Sequence, residues 1–342
     1  MKRQRLNPNP YEKPHRQRGA ALLIVLVLIA SLAFIAISIT EKTRLSAARS
    51  LNAKVRVEAQ WFGFGAEALA QSAIETALGV NATVNALEDP LFSRTIDAPL
   101  DFGSARIAVF DDTTCFNVNS LATSATTGES EEFGVGLTSA GDELVRLIQN
   151  AGLVQVPAEQ IASTITDWID VDTNRLPQGA EDEVYTTLPS PYRTGNVGLG
   201  SVSELRAMRG IDRDLYVSLK PFLCVLPSTD PSPINVNMLR DVHAPLLAAI
   251  LGPETTVQQA QDIIAARPPG GYQTVAEFLA EPLIETLTPP GDLTLRLDVR
   301  SAFLRARAEI IYDTALLEMT SFFEIDASGE ATLLRRRIGT EE

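Results

Sequence analysis

The chain has 342 residues, 45% hydrophobic and 21% charged, a globular composition with room for two domains or for one domain carrying a large insertion. Its net charge is −14, and setting aside the first 19 residues, with six Lys/Arg and one Glu, leaves 23 basic against 42 acidic residues. A body so acidic repels nucleic acid and anionic lipid and attracts cations; with His15 in the leader and His243 the sole histidine beyond it, neither a His-based zinc site nor a Ser-His-Asp triad is expected.

The first element is the run from Ala20 to Ile39, 20 residues without a charge and with only Ser31 and Ser38 polar. As a helix it spans about 30 Å, the thickness of a bilayer core. The apolar region of a cleavable secretory signal is shorter, roughly 7–15 residues. Weak small-x-small sites in "IASLAFIAIS" keep that alternative open, beside a plain anchor. Lys and Arg flank the run on both sides, so the positive-inside rule decides little. No proline occurs between Thr40 and Leu78, and Leu45, Ala48, Leu51, Val55, Ala59, Phe62, Ala66, Leu69, Ala73 and Leu78 recur at helical spacing, weakened locally by Gly63 and Gly65. One helix over 20–79 is expected, starting in the membrane and projecting from it.

Next, "SARIAVFDD" (104–112) reads as a strand. At the far end "SAFLRARAEIIYD", "ALLEMTSFFEID" and "EATLLRRRIG" read as three more, with Leu304, Ala306, Ala308 and Ile310 alternating with Arg305, Arg307 and Glu309, and "DASGE" as a turn. The expected class is α+β: a long N-terminal helix packed on an antiparallel sheet, interrupted by a large, mostly α-helical insert. The expected divisions are 1–19 leader, 20–79 helix, 80–114 first part of the body, 115–290 insert and 291–342 closing strands.

The insert reads as a duplication. "CFNVNSL" (115–121) recurs as "PINVNML" (233–239), "LVRLIQNAGL" loosely as "LLAAILG", "AEQIASTITDWID" as "VQQAQDIIAARPP", and "SVSELRAMRG" (201–210) as "TVAEFLAEP" (274–282). Each copy looks like short helices set off by an Asn-x-Asn turn, as in helix-hairpin-helix or SAM-like modules. "MRGIDRDLYVSLKPFL" is close to a phosphate-binding hairpin. That use wants a second small residue after Gly210, where this chain has Asp212, a carboxylate in the phosphate's place. A packing scaffold is the favoured reading.

The copies differ between "TDWID" and "SVSEL", where the first carries "VDTNRLPQGAEDEVYTTLPSPYRTGNVGLG". With the preceding helix end this segment supplies Asp167, Asp170, Asp172, Glu181, Asp182 and Glu183, and Asn174 adds a neutral oxygen. Three readings compete: a solvated acidic loop, catalytic carboxylates, or a cation site. Hard oxygen ligands, an Asp-x-Asp pair and no His or Cys favour structural Ca²⁺. The expected ligands are Asp170, Asp172, Glu181 and Asp182, with Asp167 and Asn174 as further candidates. The spacing is not that of an EF-hand.

A short basic leader ending in Gly19 and abutting an apolar helix resembles the type IV pilin class. That implies a prepilin peptidase cut between Gly19 and Ala20 and methylation of the new amino terminus. Most members have Glu as the fifth mature residue; here it is Ile24, a departure shared by minor pseudopilin K of type II secretion. "CFNVNSL", "DWIDVDTNRLPQGAEDEVYTTLPSPYRTGN", "SVSELRAMRGID" and "INVN" also stand in the order of that family, and the resemblance runs from about Arg16 to Gly339. It implies a non-enzymatic structural subunit at the tip of the pseudopilus that helps initiate assembly and supports export. Its implied partners are minor pseudopilins I and J, and H, with the prepilin peptidase; neither nucleic acid nor a small-molecule substrate is expected. It implies a single pass through the bacterial inner membrane and a periplasmic body, and it adds calcium in this domain. In that compartment thiols oxidise, so Cys115 and Cys224 are expected to form a disulfide, two buried free thiols being the alternative. The alternative function is a membrane-tethered DNA-binding protein of the competence type, which should be basic on its hairpin face. A calcium-dependent hydrolase is a third, for which no nucleophile or base can be nominated.

Overall fold

A computed structural model describes residues 17–79, 86–122, 137–153, 157–231, 233–287 and 293–339. The expected leader as far as residue 16, and the expected boundaries at residues 80 and 290–291, lie outside the described residues. The chain divides into two compact units, residues 1–58 and 59–342.

Helix α1 (Gln17–Leu78) runs through both as one element of 62 residues. It begins before Gly19, so the expected cut falls inside the helix. In the first unit Leu22, Leu26, Ile29, Phe34 and Ile37 are all exposed, and the helix is long and apolar enough to cross a membrane. The polar groups of the run are satisfied within it. Ser31 and Ser38 donate to the carbonyls of Val27 and Phe34, four residues back, at 2.8 and 2.9 Å.

In the second unit the buried stripe of α1 is Ala59, Ala66, Ala70, Ile74 and Leu78. Leu69, part of the apolar periodicity in the sequence, is 48% exposed. The small residues set the contact, because they let the helix backbone lie close to the sheet. After a short helix α2 (Pro90–Ser93), strands β1 (Ile96–Leu100) and β2 (Gly103–Asp111) form an antiparallel hairpin. Strand β1 is an addition to the sequence reading; five residues containing Pro99 suit an edge strand, where a missing N–H costs nothing.

The insert follows. Its first copy holds β3 (Phe116–Asn117), α3 (Ser139–Asn150), α4 (Ala158–Ile169), α5 (Asp182–Tyr185), α6 (Arg213–Leu219) and β4 (Leu223–Cys224). The second holds β5 (Ile234–Asn235), α7 (Ala244–Leu251), α8 (Val257–Ala265), α9 (Val275–Leu279), α10 (Pro282–Glu285) and β6 (Leu297–Asp298). Each copy closes by a two-residue parallel bridge, β3 to β4 and β5 to β6. The Asn-x-Asn turns do the same work in both. Asn119 accepts from the Leu199 amide at 2.7 Å and donates to its carbonyl at 3.1 Å. Asn237 treats Tyr272 alike, at 2.7 and 3.0 Å. Leu199 and Tyr272 are therefore equivalent anchors, and the acidic segment is what the first copy inserts before its anchor. The copies pack as one core, with Arg146 of α3 donating to the Ala249 carbonyl of α7 at 2.9 Å and a buried Glu143–Arg296 pair across them.

Strands β7 (Phe303–Tyr312), β8 (Ala315–Ile325) and β9 (Ala331–Ile338) complete a five-stranded antiparallel sheet of order β1-β2-β7-β8-β9. Ile107, Leu304, Ala306, Ala308, Ile310 and Phe323 are buried on the α1 side, the alternation read in the sequence. Arg336 of β9 forms a bidentate pair with Glu67 of α1, which also accepts from Ser321. Burial opposes the Glu67 charge, but Arg336 and Ser321 outweigh it and hold the carboxyl below its usual value. Cys115 and Cys224 are disulfide-bonded, Cα to Cα 5.7 Å, and staple the entry and exit of the first copy.

Candidate metal centre

The acidic segment leaves the end of α4 and returns where the Asn196 amide bonds the Trp168 carbonyl at 3.0 Å. It rests on an aromatic base, with Tyr185 edge-on to Trp168 at 5.1 Å and tilted against Tyr192 at 5.3 Å. Two hydroxyls fix that base: Tyr185 accepts from the Arg209 amide at 3.2 Å and Tyr192 donates to the Ala207 carbonyl at 2.7 Å.

One oxygen each from Asp170, Asp172 and Glu181 lie within 4.8 Å of one another. Oxygens sharing one Ca²⁺ at 2.3–2.6 Å can stand up to about 5 Å apart, so the three can hold the same ion. Glu181 is 1% exposed, and neither of its carboxylate oxygens has a hydrogen-bond partner; nor has Asp170 Oδ1. Burying a carboxylate without donors is costly, and either a proton or a bound cation would offset it. Among the described residues no Lys or Arg pairs with the three; Arg175 is turned to Glu183 at 3.2 Å. The titrations follow. Burial pushes Asp170 up to about 7, with Asp172, Asp167 and Glu181 adding repulsion, and burial with the Asp167 charge pushes Glu181 up to about 7.

The other expected ligands fall differently. Asp167 is fully buried beneath the group, accepts from the Leu176 amide at 3.0 Å, and is raised by burial to about 6. Asn174 is exposed and contributes its amide, which donates to Asp172 Oδ1 at 2.7 Å. Asp182 is committed elsewhere. Its Oδ1 accepts from the Thr194 amide and hydroxyl at 2.9 and 2.8 Å and its Oδ2 from Arg193 at 2.8 Å, which hold it below its usual value. As the first residue of α5 it ties the middle of the loop to its returning arm. Sequence reasoning also missed Gly179: a Cβ there would stand 2.0 Å from Asp167 Oδ2, so any side chain would force the buried Asp167 carboxylate to move. The Pro-Gln-Gly turn was its only signal.

The hairpin has its own chemistry. Gly210 takes φ 83°, and the Asp212 side chain accepts from the Leu215 amide at 2.8 Å as the N-cap of α6. The amide a phosphate would need is thereby occupied by a carboxylate, which disfavours the competence-type reading.

Family models described as "Type II secretion system (T2SS), protein K" match residues 114–228 and 234–300, the two copies of the insert. The chain is 37% identical over 270 residues to Type II secretion system protein K of Pectobacterium carotovorum subsp. carotovorum, covering 76% of this chain and 78% of the relative. It is 31% identical over 340 residues to the Aeromonas hydrophila protein of the same name, covering 96% and 98%. Among solved structures it resembles one in the GspK–GspI–GspJ complex from the enterotoxigenic Escherichia coli Type 2 Secretion System, with TM-score 0.73 and 29% identity over 86% of this chain and 100% of that one.

Proposed function

The chain belongs to the type II secretion system protein K family and is a minor pseudopilin, and on that premise we propose that it caps the tip of the periplasmic pseudopilus, with a Ca²⁺ ion holding its acidic loop. The observation that carries the tip position is the pairing of an inserted domain with Ile24. In the pilin class the mature Glu is met by the amino terminus of a neighbouring subunit, since a carboxylate in the bilayer needs a partner charge. Ile24 removes that need, and an insert of the size of residues 115–290 would clash in a continuous helical stack. Minor pseudopilins I and J are its partners in this reading, supported by the solved relative, whose complex contains both. The apolar start of α1 anchors it in the bacterial inner membrane. Family membership supports a structural and not an enzymatic role.

For calcium the supporting observation is Glu181, buried with both oxygens unpartnered beside Asp170 and Asp172. Asp170, Asp172 and Glu181 would hold the ion, and Asp167 would add negative charge from beneath. The ion would supply charge neutralisation and cross-link the start of the loop, at Asp170 and Asp172, to its middle, at Glu181.

Two outcomes are expected. The full chain extracted in detergent co-purifies with pseudopilins I and J, and its failure to do so when all three are produced together would remove the tip assignment. Prepilin peptidase cuts before Ala20 and the new terminus is methylated, so N-terminal sequencing of membrane-extracted protein begins at Ala20. A start beyond residue 30 would mean ordinary signal cleavage and loss of the anchor.

A further inference from the structure

The described residues form two hydrophobic cores with no apolar side chain in common. One runs through both copies of the insert, from Phe116 to Val299, so the copies move together. The other lies between α1 and the sheet. The chain passes between the two cores at residues 112–115 on entry and 299–302 on exit. The two passes lie side by side. Thr113, fully buried, holds both backbone groups of Phe303: its hydroxyl donates to the Phe303 carbonyl at 3.2 Å and accepts from the Phe303 amide at 3.0 Å. On the exit pass the allegiance changes within one residue. Ser301 belongs to the insert, its hydroxyl accepting from Asn235 at 3.0 Å, whereas the Ala302 carbonyl accepts from the Ile325 amide of the sheet at 2.8 Å. On entry the change falls at Thr114, between Thr113, held to the sheet, and Cys115, held to the insert by its disulfide.

We propose that the insert rocks as one body on this neck, about Thr113–Thr114 and Ser301–Ala302. A cavity of about 1090 Å³ separates the first copy of the insert from the sheet face turned away from α1. A seam that moves as one would be packed without such a void, and domains not joined by a large apolar interface move relative to each other. Val225 and Leu226 line one wall and Phe110 and Phe322 the other, so closure brings apolar surfaces together. Two polar tethers cross the hinge. Arg335 of β9, stacked on Phe322 at 4.0 Å, donates to the Gly200 carbonyl of the insert. Arg300 reaches the Ala327 and Asp326 carbonyls of the β8–β9 turn at 3.2 and 3.4 Å. A few residues at the ends of elements suffice to absorb such a motion. The hinge stands on the fold alone. Its use rests on the pseudopilin reading: in a subunit whose helix and sheet are held by neighbours, the insert could reorient without disturbing α1.

Both native cysteines are disulfide-bonded, so introduced cysteines take spin labels selectively. Labels at Val217→Cys and Leu316→Cys, 58% and 64% exposed on insert and sheet, report the gap; labels at Val217→Cys and Val242→Cys report the insert alone. Distances are read by pulsed electron double resonance on the full chain in detergent, without other pseudopilins. The insert-to-sheet distribution should be wider by several ångströms than the one within the insert. Arg300→Ala with Arg335→Ala should widen it further, leave the distribution within the insert unchanged and keep the protein folded by thermal melt. Should that variant not fold, Arg335→Lys, which keeps a stem over Phe322 and loses the planar donor fork, carries the same comparison. Equal widths for the two pairs, unmoved by the substitution in a folded protein, would make insert and sheet one rigid body and overturn the proposal, as would equal widening of both pairs. Either result leaves the pseudopilin reading intact.

Discussion

Reduction of the Cys115–Cys224 disulfide is expected to cost the body about 4–5 kcal/mol, the largest single loss in this protein. The two residues are 109 apart in sequence, and a loop of about 100 residues gives about 4.7 kcal/mol in the chain-entropy model. The structure adds a local reason. The bond stands at the β3–β4 bridge, where Asn117 donates to the carbonyls of Ser228 and Asp230 at 2.8 and 3.1 Å. Freeing Cys224 loosens the segment that closes the first copy, including the Leu226 amide that bonds Asn117. Thermal melts with and without reductant, or of Cys115→Ser with Cys224→Ser, should differ by about 8–20 °C, taking about 2–4 °C per kcal/mol. Thiol labelling of the denatured, unreduced protein would show that no bond exists to be broken.

Chelation has the second largest expected effect. An ion that binds only the folded loop stabilises it by about 2.7 kcal/mol at a hundredfold excess over its dissociation constant. The melting temperature should fall by several degrees in EGTA and recover with Ca²⁺ more than with Mg²⁺, whose smaller octahedral shell suits an irregular loop poorly. The pH dependence separates this from a generic salt effect. Without the ion, Asp167 at about 6 and Asp170 and Glu181 at about 7 lie above the roughly 4 of unfolded carboxyls. The folded state then binds more protons than the unfolded one. Their contribution to stability is complete below pH of about 4 and is lost as pH rises through about 7. Chelated protein should therefore be more stable at pH 5 than at pH 8, and Ca²⁺ should reduce that difference.

Substitution gives a contrast of sign. Asp170→Asn with Glu181→Gln removes buried charge, so it should melt no lower than wild type in EGTA and show no response to Ca²⁺. Asp172→Ala with Glu181→Ala should likewise lose the response and leave the loop protease-sensitive. Asp182→Ala should keep the response from a lower baseline, because its carboxylate ties Thr194 and Arg193 instead of joining Asp170, Asp172 and Glu181. A wild-type melting temperature indifferent to chelator, with no calcium by elemental analysis, would leave only a solvated acidic loop.

Much of this was legible in the sequence because it is written in local periodicity. The closing strands alternate with period two around Leu304–Ala306–Ala308–Ile310, and the helix has no proline from Thr40 to Leu78. The duplication was legible because Asn-x-Asn must recur where each copy needs a side chain that imitates a backbone pairing, at Leu199 and at Tyr272. What stayed hidden depends on contacts distant in sequence. The apolar spacing of α1 included Leu69, yet the buried stripe is the one of small residues, a choice made by how near the sheet lies. Asp182 looked like a ligand by proximity to Glu181, but at the start of a short helix the two side chains diverge, one inward and one to Thr194. One cavity is lined by Arg335 and Arg337 together with Tyr216 and Lys220, more than a hundred residues away, which no window of sequence brings together.

The central claim is a position, so the direct measurement is where the protein sits. Pseudopili assembled with the full chain carrying a single surface tag, decorated with gold and imaged by electron microscopy, should show one cluster of label at one end of each filament and a bare shaft. Label spaced at regular intervals along the shaft would contradict the account, since it would mean that the insert is accommodated within the helical stack and that Ile24 does not mark a terminal subunit.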